Sequence, residues 1–196
     1  MDGPVDGSVP GSPADGRPDG KLTDDPEAAA RLICLRLLTA APRTRAQLAT
    51  ALRRRGIPDD AAGSVLGRFA DVGLIDDAQF ARAWVESRHH GRGLARRALA
   101  AELRQRGVAA DDVRAAVGTL GPDEEIATAR RLVDRKLSAT RGQPAGVRTR
   151  RLVATLARKG YPAPLAFRVV REALDAEGID PAAIGLDDAE AAAEDT

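Results

Sequence analysis

One helical pattern recurs three times along the chain, and this recurrence constrains the fold more than any other feature of the sequence. Each copy has two leucines four residues apart, a glycine four residues after the second leucine, and a bulky apolar or aromatic residue directly after the glycine. The copies are Leu48, Leu52, Gly56 and Ile57; Leu99, Leu103, Gly107 and Val108; and Leu152, Leu156, Gly160 and Tyr161. The glycines are 51 and 53 residues apart. A period of about 50 residues is typical of helical repeats that bury their apolar faces against one another, so we expect three related helical units.

Composition and capping signals predict that the fold is all-α, with three tandem three-helix repeats. Alanine, leucine and arginine dominate the central part of the chain, and no alternating Val/Ile/Thr run suggests a sheet. Helix starts are predicted at Asp25, at a Thr44/Gln47 capping box and at Asp76. We divide the chain into a disordered acidic N-terminal extension (1–24), three helical repeats (25–74, 75–120 and 121–176) and an acidic C-terminal tail (177–196).

The net charge of +1 conceals a strong segregation of charge along the chain. Residues 26–171 carry 28 basic and 14 acidic side chains, whereas residues 172–196 carry nine acidic side chains and no basic one. A helical body with this excess should attract a polyanion, either a nucleic acid or an acidic protein surface. The alternative is that these side chains form only a solvated exterior. Of the 30 basic residues, 27 are arginine, and GC-rich coding favours arginine without any binding role.

The second helix of each repeat is the candidate binding surface. Guanidinium groups suit carboxylates and phosphates equally well, so the residue types leave the choice between a protein partner and DNA phosphates open. The candidate contact residues are Arg92, Arg96, Arg97, Arg104, Arg148, Arg150, Arg151, Arg158 and Lys159.

A motif begins between the first two repeats and continues through the second. Its residues are Gly73, Leu74, Ile75, Asp76, Asp77, Phe80, Ala81, Trp84, Arg88 and Gly93, followed by Leu99, Leu103, Arg106, Gly107 and Val108. This motif resembles the RecX family, bacterial regulators of the RecA recombinase. The resemblance covers residues 26–175. It implies an elongated, curved array of three-helix repeats that lodges in the groove of the RecA filament on single-stranded DNA. It also implies an inhibitor of filament growth, ATP hydrolysis and strand exchange in homologous recombination, DNA repair and the SOS response. Because the N-terminus has no basic start and no apolar stretch, we expect a cytoplasmic protein, and we expect it to be a monomer.

Each motif residue also has an ordinary structural interpretation. Asp76 and Asp77 are better explained as an N-cap and a first-turn acid than as a catalytic pair. Phe80 and Trp84 are expected to pack in the core or between repeats, with partial exposure of Trp84 to a partner as the alternative. Arg88 is expected to bond an internal Asp or Glu, although it could point outwards.

No motif in the sequence predicts an enzyme or a cofactor. A phosphate-binding loop, a dinucleotide glycine fingerprint and the Cys/His spacing of a metal site are all missing. His89 and His90 are adjacent without further ligands, and Cys34 is interpreted as a small buried hydrophobe. No apolar run is long enough for a membrane span.

Two alternatives to RecA regulation stay open. One is a nonspecific DNA-binding module, because a helix, a glycine turn and another helix recur as in helix-turn-helix proteins. The chain's five aromatic residues are too few to form a stacking platform for single strands. The other alternative is a purely structural scaffold.

Overall fold

The computed structural model describes residues 25–179 of the 196-residue chain. These residues form nine α-helices and a short 3₁₀ helix (Ser138–Thr140), with no strand among them, so the all-α prediction is confirmed. None of these helices combines the length and apolar content that crossing a bilayer requires. The predicted extension 1–24 and residues 180–196 of the predicted tail lie outside the described residues.

The nine helices are grouped into three modules of three, as the repeat predicts, and the close helix packing lies within each module. Module 1 contains α1 (Pro26–Ala40), α2 (Arg45–Arg53) and α3 (Asp59–Asp71). Module 2 contains α4 (Asp77–Arg92), α5 (Arg96–Gln105) and α6 (Ala110–Gly118), and module 3 contains α7 (Pro122–Leu137), α8 (Ala145–Ala157) and α9 (Ala163–Asp175).

Local capping explains where several helices begin. The Asp25 carboxylate accepts the backbone N–H groups of Glu27 and Ala28 at 2.9 and 3.1 Å, just before Pro26 opens α1. Thr44 and Gln47 form the predicted capping box at the start of α2. These side chains satisfy backbone donors that have no partner inside the helix.

Each module has its own hydrophobic core, built around the two repeated leucines of its second helix. Those leucines are at most 1% exposed in all three modules: Leu48 and Leu52, Leu99 and Leu103, Leu152 and Leu156. Burying a leucine side chain contributes about 1.5–3 kcal/mol, so each pair is a substantial part of its module's stability.

Consecutive modules meet through the ends of their second helices. The N-terminal end of the second helix in one module contacts the C-terminal end of the second helix in the next module. The hydroxyl of Thr44, the N-cap of α2, donates to the carbonyl of Arg106 at the end of α5 at 2.6 Å. In the same way the backbone N–H of Ala95, the N-cap of α5, donates to the carbonyl of Lys159 at the end of α8 at 2.9 Å. The helices α2, α5 and α8 therefore form one row, in which the positive N-terminal end of a dipole meets the negative C-terminal end of the next.

Glycine makes this end-to-end approach possible. A Cβ on Gly107 would lie 2.3 Å from the Cβ of Ala46, and one on Gly160 would lie 2.7 Å from the Cβ of Ala98. Both glycines also have positive φ angles, 76° and 87°. The glycine of the repeat is thus required at the junctions both for its conformation and for the space it leaves.

A carboxylate from the following module completes each junction. Asp77 Oδ1 accepts the backbone N–H of Arg45, the first residue of α2, at 2.9 Å. Glu125 Oε1 accepts the backbone N–H of Arg96, the first residue of α5, at 2.9 Å. The two acids cap a helix of the preceding module, a role that sequence-local reasoning cannot assign.

The junction between modules 2 and 3 has additional buried hydrogen bonds. His89, 1% exposed, donates from Nδ1 to the carbonyl of Leu94 at 2.9 Å, and its Nε2 accepts from the Thr128 hydroxyl at 2.8 Å. The Tyr161 hydroxyl donates to the carbonyl of Gly93 at 3.2 Å. These bonds tie α4 to α7 and to the end of α8.

We predict that Gly107→Ala destabilises the protein more than Gly56→Ala. Both glycines adopt the left-handed backbone conformation, with φ angles of 76° and 73°. Replacing either one by alanine should therefore lower the free energy of unfolding by about 1–2 kcal/mol. A Cβ on Gly56 meets no atom within 4 Å, whereas one on Gly107 must displace Ala46, which adds about 1–3 kcal/mol. Urea unfolding followed by circular dichroism measures both, and equal losses would show that the junction contact does not contribute.

Candidate partner-binding surface

Three basic grooves follow the row of second helices. The first-junction groove has a volume of about 440 Å³ and lies between α2 and the end of α5; its basic residues are Arg43, Arg54, Arg55, Arg104 and Arg106. The second-junction groove, about 560 Å³, contains Arg92, Arg135, Arg158 and Lys159. The terminal groove, about 570 Å³, contains Lys136, Arg150, Arg151 and Arg158. No acidic residue lines any of the three, so their positive potential is uncompensated by the walls.

Most of the predicted contact residues lie on this surface. Six of them are exposed, and all but Arg97 line one of the grooves: Arg92, Arg97, Arg104, Arg150, Arg151 and Arg158. Their guanidinium groups are therefore accessible to an anionic partner.

Lys159 lies at the second junction, half-buried. Its ammonium donates to the carbonyl of Arg92 at 2.5 Å. Burial lowers the pKa of this ammonium, and the neighbouring charges of Arg135 and Arg92 lower it further. The side chain contributes to the junction as well as to the groove.

Arg96 is engaged inside the molecule. Its Nε lies 3.4 Å from Oε2 of Glu125, the carboxylate that also caps α5, and its side chain is 37% exposed. This residue therefore belongs first to the junction between modules 2 and 3.

Arg148, which the sequence predicts to be a contact residue, is buried, with only 4% of its surface exposed, and it is engaged inside the molecule. Its Nε donates to the Thr140 hydroxyl at 3.0 Å, and its Nη2 pairs with the carboxylate of Glu177. The hydrogen bond from Arg148 lowers the pKa of Glu177 more than any other contact, with a further contribution from Arg141. The sequence carried a signal of this burial, since Arg148 is four residues before Leu152, at the repeat position of the fully buried Thr44 and Ala95.

The sequence prediction omitted four arginines that the fold brings to the first-junction groove. Arg43 precedes α2, and Arg54 and Arg55 follow it, while Arg106 follows α5 on the other side of the junction. The repeat itself carries a signal for two of these residues. When Gly56 is aligned with Gly107, Arg54 and Arg55 align with Gln105 and Arg106, at the C-terminal end of a second helix.

The motif residues between modules 1 and 2 terminate and start helices. Gly73 ends the α3 turn in a left-handed conformation, and Asp76 caps α4 by accepting the N–H of Gln79 at 2.7 Å. Ala81 is fully buried, and Leu74 is 49% exposed. A Cβ on Gly93, which ends α4, would meet the side chain of Leu132 in module 3 at 3.1 Å. The motif therefore sets the connection between modules.

An aromatic cluster on α4 positions Arg106 at the groove. Trp84 stacks on Phe80 at a centroid distance of 5.7 Å, and its Nε1 donates to Oε2 of Glu102 at 2.7 Å. The Cζ atoms of Arg88 and Arg106 lie 4.1 and 3.7 Å from the centroid of the Trp84 ring. Arg88 Nε is also 3.6 Å from the Glu102 carboxylate. Burial lowers the pKa of Arg106, but a guanidinium stays protonated at neutral pH, so the cluster presents a fixed positive charge.

The possible metal ligands do not cluster in the part of the chain that the structure describes. Across residues 25–179 no group of three or more His, Cys, Asp or Glu side chains is placed to hold a metal ion. His89 is used in the inter-module bonds described above, and Cys34 is buried in the core of module 1, where burial raises the pKa of its thiol.

We predict that Arg148→Ala destabilises module 3, whereas Arg150→Ala does not. The Arg148→Ala variant leaves the buried Thr140 hydroxyl without this partner, and such a loss costs about 1–3 kcal/mol. The variant also loses the ion pair with Glu177. Arg150 is exposed, and surface substitutions usually change stability by less than about 0.5 kcal/mol. Thermal unfolding of both variants measures the difference, and an unchanged midpoint for Arg148→Ala would contradict the structural role.

Three models of RecX domains match this chain. The first three-helix domain matches residues 30–69, the second matches 76–117 and the third matches 123–170. A protein named Regulatory protein RecX from Thermobifida fusca is 64% identical over 176 residues, covering 88% of this chain and 95% of the relative. One of the same name from Streptomyces coelicolor is 60% identical over 166 residues, covering 85% of this chain and 88% of that relative.

Solved structures agree at the level of the fold. The crystal structure of RecX from Lactobacillus salivarius superposes with a TM-score of 0.70 at 16% identity, over 76% of this chain and 97% of that one. This superposition shows that the two chains share a fold, and the three domain models and the two relatives show the family. The chain belongs to the RecX family of regulatory proteins.

Proposed function

We propose that this protein regulates the RecA recombinase by binding in the groove of the RecA filament on single-stranded DNA. In this role it restrains filament growth, ATP hydrolysis and strand exchange, without chemistry of its own. Membership of a family whose relatives are named regulatory proteins supports the regulatory role. The observation that carries the proposal is the row of α2, α5 and α8, which presents acid-free basic grooves at successive modules.

The repeated surface suits a repeated partner. The three second helices contain 9, 10 and 13 residues, and at about 1.5 Å per residue their lengths add up to roughly 50 Å of helix. A filament offers the same anionic groups at regular intervals, and simultaneous contacts raise the overall affinity even when each contact is weak. Occupancy of the groove by such a row would then oppose further filament growth.

The exposed arginines at equivalent positions are the proposed contact residues. Arg97 in module 2 and Arg150 in module 3 each lie two residues before the first repeated leucine, and both are exposed. Neither forms an ion pair within the described residues. Arg104, Arg151 and Arg158 extend the same surface. We place this activity in the cytoplasm, in homologous recombination and DNA repair.

Nonspecific DNA binding is the second candidate function, and the acid-free grooves favour it as well. A protein that acts through 6 to 10 phosphate contacts should lose about 10³ to 10⁵ in affinity between 50 and 200 mM salt. A much weaker dependence on salt would indicate a protein partner. Tight binding to DNA with no effect on RecA would favour this second function over the first.

We predict that Arg97→Glu/Arg150→Glu weakens inhibition of RecA. In an assay of DNA-dependent ATP hydrolysis by the cognate RecA, the natural protein should inhibit at well below one copy per RecA subunit. The double variant should need at least about tenfold more protein, because charge reversal replaces attraction by repulsion at two modules. Circular dichroism should show unchanged helicity.

The matched control is Arg31→Glu/Arg36→Glu, which changes the net charge equally. Both residues are exposed on α1, and that helix contributes no residue to the three grooves. The control should inhibit as well as the natural protein. Equal inhibition by the Arg97/Arg150 variant would remove the row as the binding surface, and no inhibition by the natural protein would refute RecA regulation itself.

A further inference from the structure

We propose that the first-junction groove binds the sugar–phosphate backbone of a nucleic acid strand, with phosphates held by guanidinium groups from both modules. The proposal names a ligand class and a set of residues for one part of the basic row. It rests on the proposed function for its biological setting, but binding to nucleic acid without RecA tests it separately.

The charge of the groove is the first reason. Five arginines line it, three from module 1 and two from module 2, and its other lining residues are Ala46, Gln47, Thr50, Ala51, Gln105 and Gly107. Within residues 25–179 none of these arginines forms an ion pair. The guanidinium groups that line the groove can therefore form charge-assisted hydrogen bonds with phosphate oxygens.

The lining favours phosphate over an acidic protein segment. No apolar side chain larger than alanine and no aromatic ring reaches the groove. Protein interfaces depend on apolar and aromatic anchors that fill pockets, and this groove offers none. Binding of a nucleic acid backbone is instead dominated by charge, with amide and hydroxyl side chains such as Gln47, Thr50 and Gln105 as additional hydrogen-bonding groups.

The same lining predicts that binding is independent of base sequence. Trp84 reaches this groove indirectly, through its contact with Arg106, but its ring is covered by Phe80, Arg88 and Arg106. It is therefore not free to stack on a base, which is the usual source of affinity for unpaired bases. The groove therefore offers phosphate contacts but no free ring on which a base could stack.

Two of the five guanidinium groups are held in place before any ligand arrives. Arg106 lies 3.7 Å from the centroid of the Trp84 ring, and its Nη1 donates to the carbonyl of Glu102 at 2.8 Å. Arg55 Nη1 donates to the carbonyl of Ala51 at 3.1 Å. Fixed side chains lose less conformational entropy on binding, so these two groups favour a bound anion more than mobile surface arginines do.

The groove exists only while modules 1 and 2 are joined. Its two halves are brought together by the bond from Thr44 to the carbonyl of Arg106 and by the close approach of Ala46 to Gly107. Gly107→Ala should therefore weaken binding at this groove. Gly160→Ala, which crowds Ala98 at the other junction, leaves the groove intact and is the matched control.

The experiment is titration of a fluorescently labelled oligo-dT strand with the full chain, followed by anisotropy without RecA. The test variant Arg54→Gln/Arg104→Gln removes one charge from each module, and the control Arg31→Gln/Arg36→Gln removes two exposed charges from α1. We expect the test variant to lose at least tenfold in affinity at about 50 mM salt. Its slope of log affinity against log salt should fall by roughly 1.4, since each phosphate contact on a single strand contributes about 0.7.

Three competitors identify the ligand class. An oligo-dA strand should compete as well as oligo-dT, and an equal-length duplex should compete through the same two arginines if the groove takes a backbone from either form. A polyglutamate peptide of equal charge should compete at least tenfold less well. Competition by polyglutamate equal to that of the strand would assign the groove to acidic protein segments and overturn the proposal.

Two further outcomes are decisive. Binding by Arg54→Gln/Arg104→Gln that equals the control overturns the proposal, as does equal loss in Gly107→Ala and Gly160→Ala. Loss of strand binding in the test variant supports it, whatever that variant does to RecA. Failure of the natural protein to inhibit RecA would refute the proposed function while leaving strand binding at the groove supported.

Discussion

The contact between the N-terminal end of one second helix and the C-terminal end of the next is the interaction on which the rest of the structure depends. At both junctions an N-cap residue donates to the last carbonyls of the following second helix, and a glycine without a Cβ permits the approach. A carboxylate of the following module then caps the first free N–H. Because helix dipoles align head to tail, electrostatics and packing favour the same arrangement. Three small cores thereby become one array.

Within residues 25–179 the junction is not repeated at the outer ends of the array. Asp77 and Glu125 each lie four residues before a fully buried alanine, and in module 1 that position is Pro26, which has no carboxylate. In module 3, Arg148 is at the repeat position of the N-caps of α2 and α5, but α8 begins three residues earlier, at Ala145. This extra helical turn occupies the place where a further module would contact the start of α8. Arg148 turns inwards to Glu177 there. Modules at the ends of repeat arrays commonly differ in this way.

The same end-to-end row determines the electrostatics of the surface. The carboxylates of Asp77 and Glu125 cap helices, so their negative charges lie inside the junctions. The arginines that flank the second helices stay on the outside, in grooves without acidic walls. The excess of 28 basic over 14 acidic side chains in residues 26–171 is therefore displayed in three basic grooves along the row.

The sequence by itself determined the three-module all-α fold, the repeated core leucines, the caps at Asp25, Thr44 and Asp76, and the RecX family. Those features depend on helical periodicity and on hydrogen bonds spanning two or three residues. Only the tertiary structure decided that Asp77 caps α2, that Arg148 is buried, and that arginines of two modules share the first-junction groove. The bonds that join modules 1 and 2 connect residues 32 and 62 positions apart. Which distant groups meet depends on how whole helices pack, and no local pattern records that.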